Sequence, residues 1–263
     1  MSSVHREAAN RIVEEVSQDR RIAGVAAGGS WLTAMDEYSD LDLVVGVYPD
    51  HERAVSAERM SIAARCGPLL AAFTGEHVGE PRLLICLYGP PLLHVDLKFV
   101  ALHDLKDRVE DPSVLWERDD EMSRVLAGSA GRYPQPDRQW LEDRFWIWVH
   151  YGATKVGRGE LFEAIDFIAY LRSHVLGPLL LLRSQRTPNG VRRVEQLPPE
   201  DVAALEKTLC LHDRVSCGNA LLAAIDLYRQ LRQGATMTRR ELAEQSATAY
   251  LDQVLRRAAA SAR

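Results

Sequence analysis

The chain has 263 residues, 46% hydrophobic and 26% charged, and 37 acidic against 32 basic side chains leave a formal net charge of -5. That length fits one large domain or two small ones, with a composition ordinary for a soluble globular protein with a buried core. The acidic balance disfavours a protein that grips nucleic acid through many phosphates, because such surfaces are basic.

The four cysteines, Cys66, Cys86, Cys210 and Cys217, form no C-x-x-C pair and have no histidine at zinc-finger spacing. They read as small apolar residues in a reduced cytosol. The polar, charged N-terminus does not read as a signal peptide. The longest apolar run, Val175 to Leu182, is interrupted by Gly177 and Pro178 and is too short for a membrane span. A cytoplasmic location without a membrane partner is expected.

In chain order, Ala8, Ile12, Val13 and Val16 lie at helical spacing and predict an amphipathic helix over residues 4–20. Ile22 to Ala27 predicts a short strand ending in a tight Gly28-Gly29 turn. Ser30 is expected to cap a short helix over Trp31 to Met35. Leu41 to Tyr48 predicts a strand ending at Pro49, and residues 50–65 a helix. Arg82 to Tyr88 and Leu92 to Val100 are apolar runs separated by Gly89-Pro90-Pro91, the pattern of a hairpin.

The chain then changes character. Residues 111–138 are charged, hold scattered proline and glycine, and read as a connecting region. From Trp140 onward no strand is expected. Leu141, Phe145, Trp148 and Gly152 mark one helical face, and Leu161, Ile165, Ile168 and Val175 another. Residues 199–212, 219–233 (stopped by Gly234) and 239–260 complete a bundle of four or five helices. The division is thus 1–110, a small mixed sheet with helices; 111–138, a connector; and 139–263, an all-α domain.

The chemistry is carried by Gly28-Gly29-Ser30, followed after nine residues by Asp40-Leu41-Asp42, and by Asp96 within His94-Val95-Asp96-Leu97-Lys98. In a strand, residues i and i+2 share a face, so Asp40 and Asp42 present two carboxylates side by side. Like charges held that close repel and are costly to desolvate, and a divalent cation removes the difficulty. Oxygen ligands of this kind suit Mg²⁺, which keeps waters and substrate phosphates as its other ligands. Asp96 lies in the same way within its own apolar run. On a neighbouring strand it would bring a third carboxylate, and three can hold two ions about 3.5–4 Å apart for in-line displacement at phosphorus. Gly28 and Gly29 let backbone approach a ligand closely, and Ser30 and the following amides can face an anion. A triphosphate is therefore expected on Gly28, Gly29 and Ser30, with its α-phosphate near the metals. Asp36 and Glu37, in the spacer, read as solvated loop charges.

Gly29, Ser30, Asp40, Asp42 and Asp96 resemble the motif of the nucleotidyltransferase superfamily related to DNA polymerase β: a Gly-Ser turn, a spacer of about ten residues, an Asp-x-Asp and a later Asp. The resemblance covers residues 20–100. A small catalytic domain with a helical C-terminal half is similar to the antibiotic-modifying branch, the aminoglycoside and lincosamide nucleotidyltransferases. It implies an α+β nucleotidyltransferase fold followed by an all-α bundle, with a cleft between the two. It also implies Mg²⁺, a nucleoside triphosphate donor such as ATP, and a small-molecule acceptor with antibiotic resistance as the context. The apolar helical half leaves room for a homodimer.

In the helical half, Glu163, Asp166, Tyr170 and Ser173 recur at steps of three and four as one polar stripe, facing either solvent or the cleft. An acceptor hydroxyl must lose a proton, and a carboxylate can take it. Ala164-Ile165-Asp166 resembles an Ala-x-Asp stretch of streptomycin-modifying relatives, which nominates Asp166 as base, with Glu163 or a metal-binding aspartate as alternatives. The resemblance also suggests Lys155 as a contact to the triphosphate. Its place at a helix C-terminus has an equal explanation in the helix dipole. Trp146, Trp148 and Tyr151 read as core rather than a base platform, and the arginines between Arg183 and Arg193 as a solvated loop. Two other functions remain in view: transfer of AMP to a protein, as in toxin–antitoxin pairs, or to an RNA end, and a nucleotide-binding protein without turnover.

Overall fold

The computed structural model describes residues 3–261 and divides into two compact units, one ending at Tyr133 and the other starting at Pro134. In the first, α1 (Ser3–Ser17) buries Ala8, Ala9, Ile12 and Val16 as its periodicity requires. β1 (Ile22–Ala27) is buried along its whole length. β2 (Leu41–Val47), α2 (Glu52–Arg65), β3 (Leu69–Gly75), β4 (Glu80–Tyr88) and β5 (Leu93–Ala101) follow, then β6 (Ser113–Glu117) and α3 (Glu121–Ala127).

The strands form one sheet in the order β3-β4-β5-β2-β1-β6. β4 and β5 pair antiparallel as the expected hairpin, while β2 and β5 run parallel. Period-2 alternation fixes the register: Leu41, Leu43 and Val45 of β2 and Leu93, Val95 and Leu97 of β5 are buried in the core that α1 and α2 cover. A second cluster on the other face gathers Ala23, Ala26, Val100, Leu102, Leu105 and Met122 of α3. The aspartates of β2 and β5 alternate onto that second face.

The expected connecting region 111–138 contains β6 and α3. β6 closes one edge of the sheet by pairing with β1. β3, absent from the sequence reading, forms the other edge. The helix predicted over Trp31 to Met35 is instead a single 3₁₀ turn, Gly29–Leu32, with Gly28 in the capping position and no side-chain cap. Ser30 lies within that turn, and its hydroxyl donates to the Asp40 carbonyl at 3.4 Å. Further helix is opposed by Asp36, whose carboxylate accepts from the Tyr38 amide (3.0 Å) and the Ser39 hydroxyl (2.9 Å).

The second unit is helical. α4 (Arg138–Arg158) starts at Asp137, which accepts from the Trp140 amide at 3.0 Å, and stops at Gly159 with φ +77°. α5 (Leu161–Leu171), α6 (Gly177–Arg183), α7 (Pro199–Glu206), α8 (Arg214–Leu231) and α9 (Glu241–Ser261) follow. Gly177 and Pro178 do not break the apolar segment, contrary to expectation. A π turn at Arg172–Leu176 joins α5 to α6, and its wider ring accommodates the missing proline donor. The resulting 23-residue rod is long and apolar enough to cross a membrane by length and composition, but half of its most apolar 18-residue window is buried within the protein, as in a core helix. Phe145 stacks on Tyr228, with ring centroids 3.8 Å apart, at the centre of this core.

Trp146 is buried and Trp148 packs against the core, as expected, whereas Tyr151 is partly exposed. All four cysteines are free, and burial pushes the Cys66 and Cys86 thiols up to about 12, in keeping with an apolar role.

Candidate active site

The parallel pairing of β2 with β5 sets Asp42 directly opposite Asp96, one register step from Leu41↔Val95. Register partners in a sheet share a face, so the two carboxylates project together. Asp40, two residues before Asp42, lies within electrostatic reach of Asp96. Burial, opposed by the His94 hydrogen bond and aided by the Asp40 charge, raises the Asp96 pKa above the usual carboxylate range. His94 shares the outward face of β5, and its Nε2 lies 2.9 Å from Asp96 Oδ1.

The Gly28–Gly29 turn lies against the Asp42 carboxylate. The Gly28 amide donates to the Asp42 carbonyl at 3.0 Å, extending the β1–β2 ladder by one bond. Gly29 has φ +57°, and a Cβ there would stand 1.9 Å from Asp42 Oδ2. Only glycine lets the Asp42 carboxylate nestle into the turn. The sequence reading has Gly29 approaching a ligand; the close approach present here is to the chain's own Asp42. The loop before Asp40 is pinned by His5, a buried side chain of α1 whose Nε2 lies 2.7 Å from the Ser39 carbonyl oxygen.

The donor set suits a hard divalent cation: two carboxylates in register, a third within electrostatic reach, and one of them held at raised proton affinity by burial. They do not form a ready cage. Among the described residues, no group of three or more His, Cys, Asp and Glu side chains is assembled to hold a metal ion. Asp96 is turned toward His94, and Asp42 toward Gly29.

The other nominated residues lie in the helical unit. Lys155, near the end of α4, reaches Glu160 (2.8 Å) and Glu163 (3.0 Å), and its ammonium lies 5.0 Å from the Tyr151 ring centre. The Tyr151 hydroxyl donates to Glu163. That bond, then Lys155, holds the Glu163 carboxyl below its ordinary value. Asp166 is exposed on α5. Of the arginine run, Arg183 pairs with Asp201 and Arg186 bonds Gln196, which ties the loop to the start of α7 and the residues before it.

Two residues at the site escaped the sequence reading. His94 was legible in principle, two residues from Asp96 on the same strand face. Glu110, whose Oε1 accepts from the Gly29 amide at 2.6 Å, lies 81 positions away and carries no local signal.

No family model and no curated protein matches this sequence. Among solved structures, the chain is similar to an aminoglycoside 6-adenyltransferase from Bacillus subtilis, at 15% identity over 97% of this chain and 99% of that one, with a TM-score of 0.39. It is similar to a nucleotidyltransferase-like protein from Exiguobacterium sibiricum, at 16% identity over 95% of this chain and 79% of that one, with a TM-score of 0.37. A spectinomycin adenyltransferase from Enterococcus faecialis, solved with ATP and spectinomycin, matches at 11% identity over 97% of this chain and 99% of that one, with a TM-score of 0.29. All three are described as nucleotidyltransferases or adenyltransferases, or as like them. At TM-scores below 0.5 these likenesses carry no weight for the chemistry, which rests on the carboxylates and the glycine turn.

Proposed function

We propose that the protein transfers a nucleoside monophosphate, AMP from ATP as the first donor to test, onto a hydroxyl of a small molecule, with release of pyrophosphate. The observation that carries this reading is the Asp42–Asp96 register pair, with Asp42 seated against Gly29. It combines a divalent-cation donor set with backbone that a phosphate chain can approach.

Asp40, Asp42 and Asp96 would hold Mg²⁺, which when bound supplies charge neutralisation at the attacking and leaving oxygens. Gly28, Gly29 and Ser30 take the phosphates of the donor. An acceptor hydroxyl gives up its proton to a carboxylate as its oxygen bonds to the α-phosphorus. The bond from that phosphorus to the bridging oxygen breaks, and pyrophosphate leaves. The base is proposed among three carboxylates: Asp166, exposed on α5; Glu163, which already bonds Tyr151 and Lys155; and a metal-binding aspartate. A contact from Lys155 to the donor would require its pairing with Glu160 and Glu163 to open. The rate gain then comes from positioning and from charge stabilisation.

The test is a screen of aminoglycosides, lincosamides and other polyols, incubated with the protein, Mg²⁺ and each nucleoside triphosphate. A mass gain of one nucleoside monophosphate on an acceptor, with pyrophosphate release, is expected. Label appearing on a protein side chain or an RNA end would move the acceptor to a macromolecule. Absence of pyrophosphate release across the panel would leave a nucleotide-binding protein without turnover.

A further inference from the structure

The amide that the proposed donor site offers to phosphate is already bonded to a carboxylate of the chain itself. Glu110 Oε1 accepts from the Gly29 amide at 2.6 Å, and a Cβ on Gly28 would stand 2.6 Å from the same oxygen. The side chain thus lies against both glycines. Asp42 Oδ2 presses on Gly29 as well, so two carboxylates flank one glycine.

The position of Glu110 follows from the fold. Ala27, the last residue of β1, pairs with Ser113, the first of β6. The chain entering β6 therefore passes the chain leaving β1, and Glu110 is carried alongside the turn. Its segment is well anchored. Asp111 accepts from the Gly131 amide at 2.8 Å and from Arg108 Nε at 2.7 Å. Arg108 also donates to the carbonyls of Leu105 (3.0 Å) and Leu126 (2.9 Å), and the Arg132 amide donates to the Arg108 carbonyl at 2.8 Å. The backbone is held from both sides while the Glu110 side chain itself is exposed. Its loss should cost the fold little, since an exposed hydrogen bond contributes modestly.

We propose that Glu110 is a built-in competitor for the phosphates of the donor, and that its departure from the Gly29 amide is the step that admits them. This rests on the nucleotide reading of the glycine turn. A carboxylate and a phosphate oxygen cannot share one amide, and their like charges repel. The apparent affinity for the donor is then reduced by the fraction of molecules in which the turn is vacant.

The test is equilibrium binding of Mg-tripolyphosphate and of Mg-ATP to the full chain and to Glu110→Ala, Glu110→Gln and Asp107→Asn, with a thermal melt of each to establish folding. Asp107 is an exposed acid on the same segment and measures the effect of net charge alone. If Glu110 holds the turn nine-tenths of the time, Glu110→Ala tightens both ligands roughly tenfold. Glu110→Gln should fall between, and Asp107→Asn should change affinity by less than about twofold, since an exposed charge acts weakly through solvent. Unchanged or weaker binding by Glu110→Ala, with the wild type binding Mg-ATP, overturns the competitor role and leaves the nucleotide reading standing. Equal tightening by Asp107→Asn overturns it too, because bulk charge then accounts for the gain. Binding by Glu110→Ala alone supports it, and no binding by any of the four overturns this proposal together with the nucleotide reading.

Discussion

Burial and the Asp40 charge raise the proton affinity of Asp96, and the His94 hydrogen bond offsets them only in part. Its folded pKa therefore lies above its unfolded value of about 3.9. The stabilising contribution of such a group is fully present below that unfolded value and is lost as pH rises through the folded one. At neutral pH the charged carboxylate thus subtracts from the stability of the metal-free protein. Asp96→Asn should melt at a higher temperature than the metal-free wild type at pH 7, with the gap closing near pH 3, while the proposed transferase turnover should fall by about 100-fold or more, the scale of one lost charge-stabilising group. Thermal melts at the two pH values and a pyrophosphate assay read both effects; a lower melting temperature at pH 7 would contradict the assigned burial cost. Gly29→Ala should act differently. A left-handed φ costs a side chain about 1–2 kcal/mol, and the new methyl would drive Asp42 from its place, so Mg²⁺-nucleotide binding should fail in a protein that still folds, as calorimetry can establish. Asp42 and Asp96 were legible as outward residues of their strands because strand periodicity puts alternate residues on one face, whereas Asp40 lies one residue before β2. Glu110 was not legible, because its neighbour is chosen by strand pairing.

At the scale of elements, the two strands that sequence pattern missed, β3 and β6, are the two edges of the sheet. Leu70 and Phe73 of β3 are exposed, and β6 is half-buried for most of its length. An edge strand lacks the clean alternation that burial imposes on β2 and β5, and its short run between charged residues reads as linker. The α5–α6 join was misread for a related reason. Glycine and proline signal a break locally, but the π turn absorbs them because the flanking residues bury on both sides. Gly177 is also a place of close approach, where a Cβ would stand 2.3 Å from the Gly190 carbonyl oxygen and 2.9 Å from that of Arg172. Backbone cannot step aside as a side chain can, so Gly177→Ala should cost about 1–3 kcal/mol, measurable by chemical denaturation. Glu142 was equally hidden, since a glutamate beside Leu141 reads as the solvated face of α4. It is fully buried and ties α4 to α8 and to the start of α9. It accepts from Tyr228 (2.9 Å), Arg232 (2.8 Å), Trp146 Nε1 (3.1 Å) and the Arg240 amide (3.0 Å). Burial alone would raise its pKa, but the Arg240 amide, the Trp146 and Tyr228 donors and the Arg232 charge together hold it below the usual value. The stability it confers is present above an unfolded pKa of about 4.3 and is lost as pH falls through the lower folded one. Glu142→Ala should cost about 3–5 kcal/mol at pH 7, because it removes one of the two carboxylates that hold the buried Arg232 guanidinium, Glu244 being the other, and leaves the Tyr228, Trp146 and Arg240 donors without their acceptor. That penalty should shrink below about pH 4 as the wild type loses its own advantage.

At the scale of the whole molecule, each compact unit has its own core. The large cluster built on Phe145, Trp146, Leu180, Leu221 and Tyr228 lies wholly beyond residue 134, and the two clusters on either face of the sheet lie wholly before it. The residues proposed to hold cation and phosphates, Gly28, Gly29, Ser30, Asp40, Asp42 and Asp96, all belong to the first unit. A ligand that binds only the folded form stabilises what it binds by RT ln(1 + [L]/Kd), about 2.7 kcal/mol at a hundredfold excess over Kd. Mg-tripolyphosphate has no base or sugar to engage other residues, and Lys155 is held by Glu160 and Glu163, so that stabilisation should stay within the first unit. Hydrogen exchange in the slowest amides of β1, β2 and β5 should then slow by about 100-fold when their exchange follows unfolding of the first unit. Amides of α4 and α8 should keep their rates, and Asp42→Asn should remove the protection. Slowing of α8 by the same factor would mean that the helical unit takes part in holding this anion; no slowing anywhere would remove the glycine turn as a phosphate site.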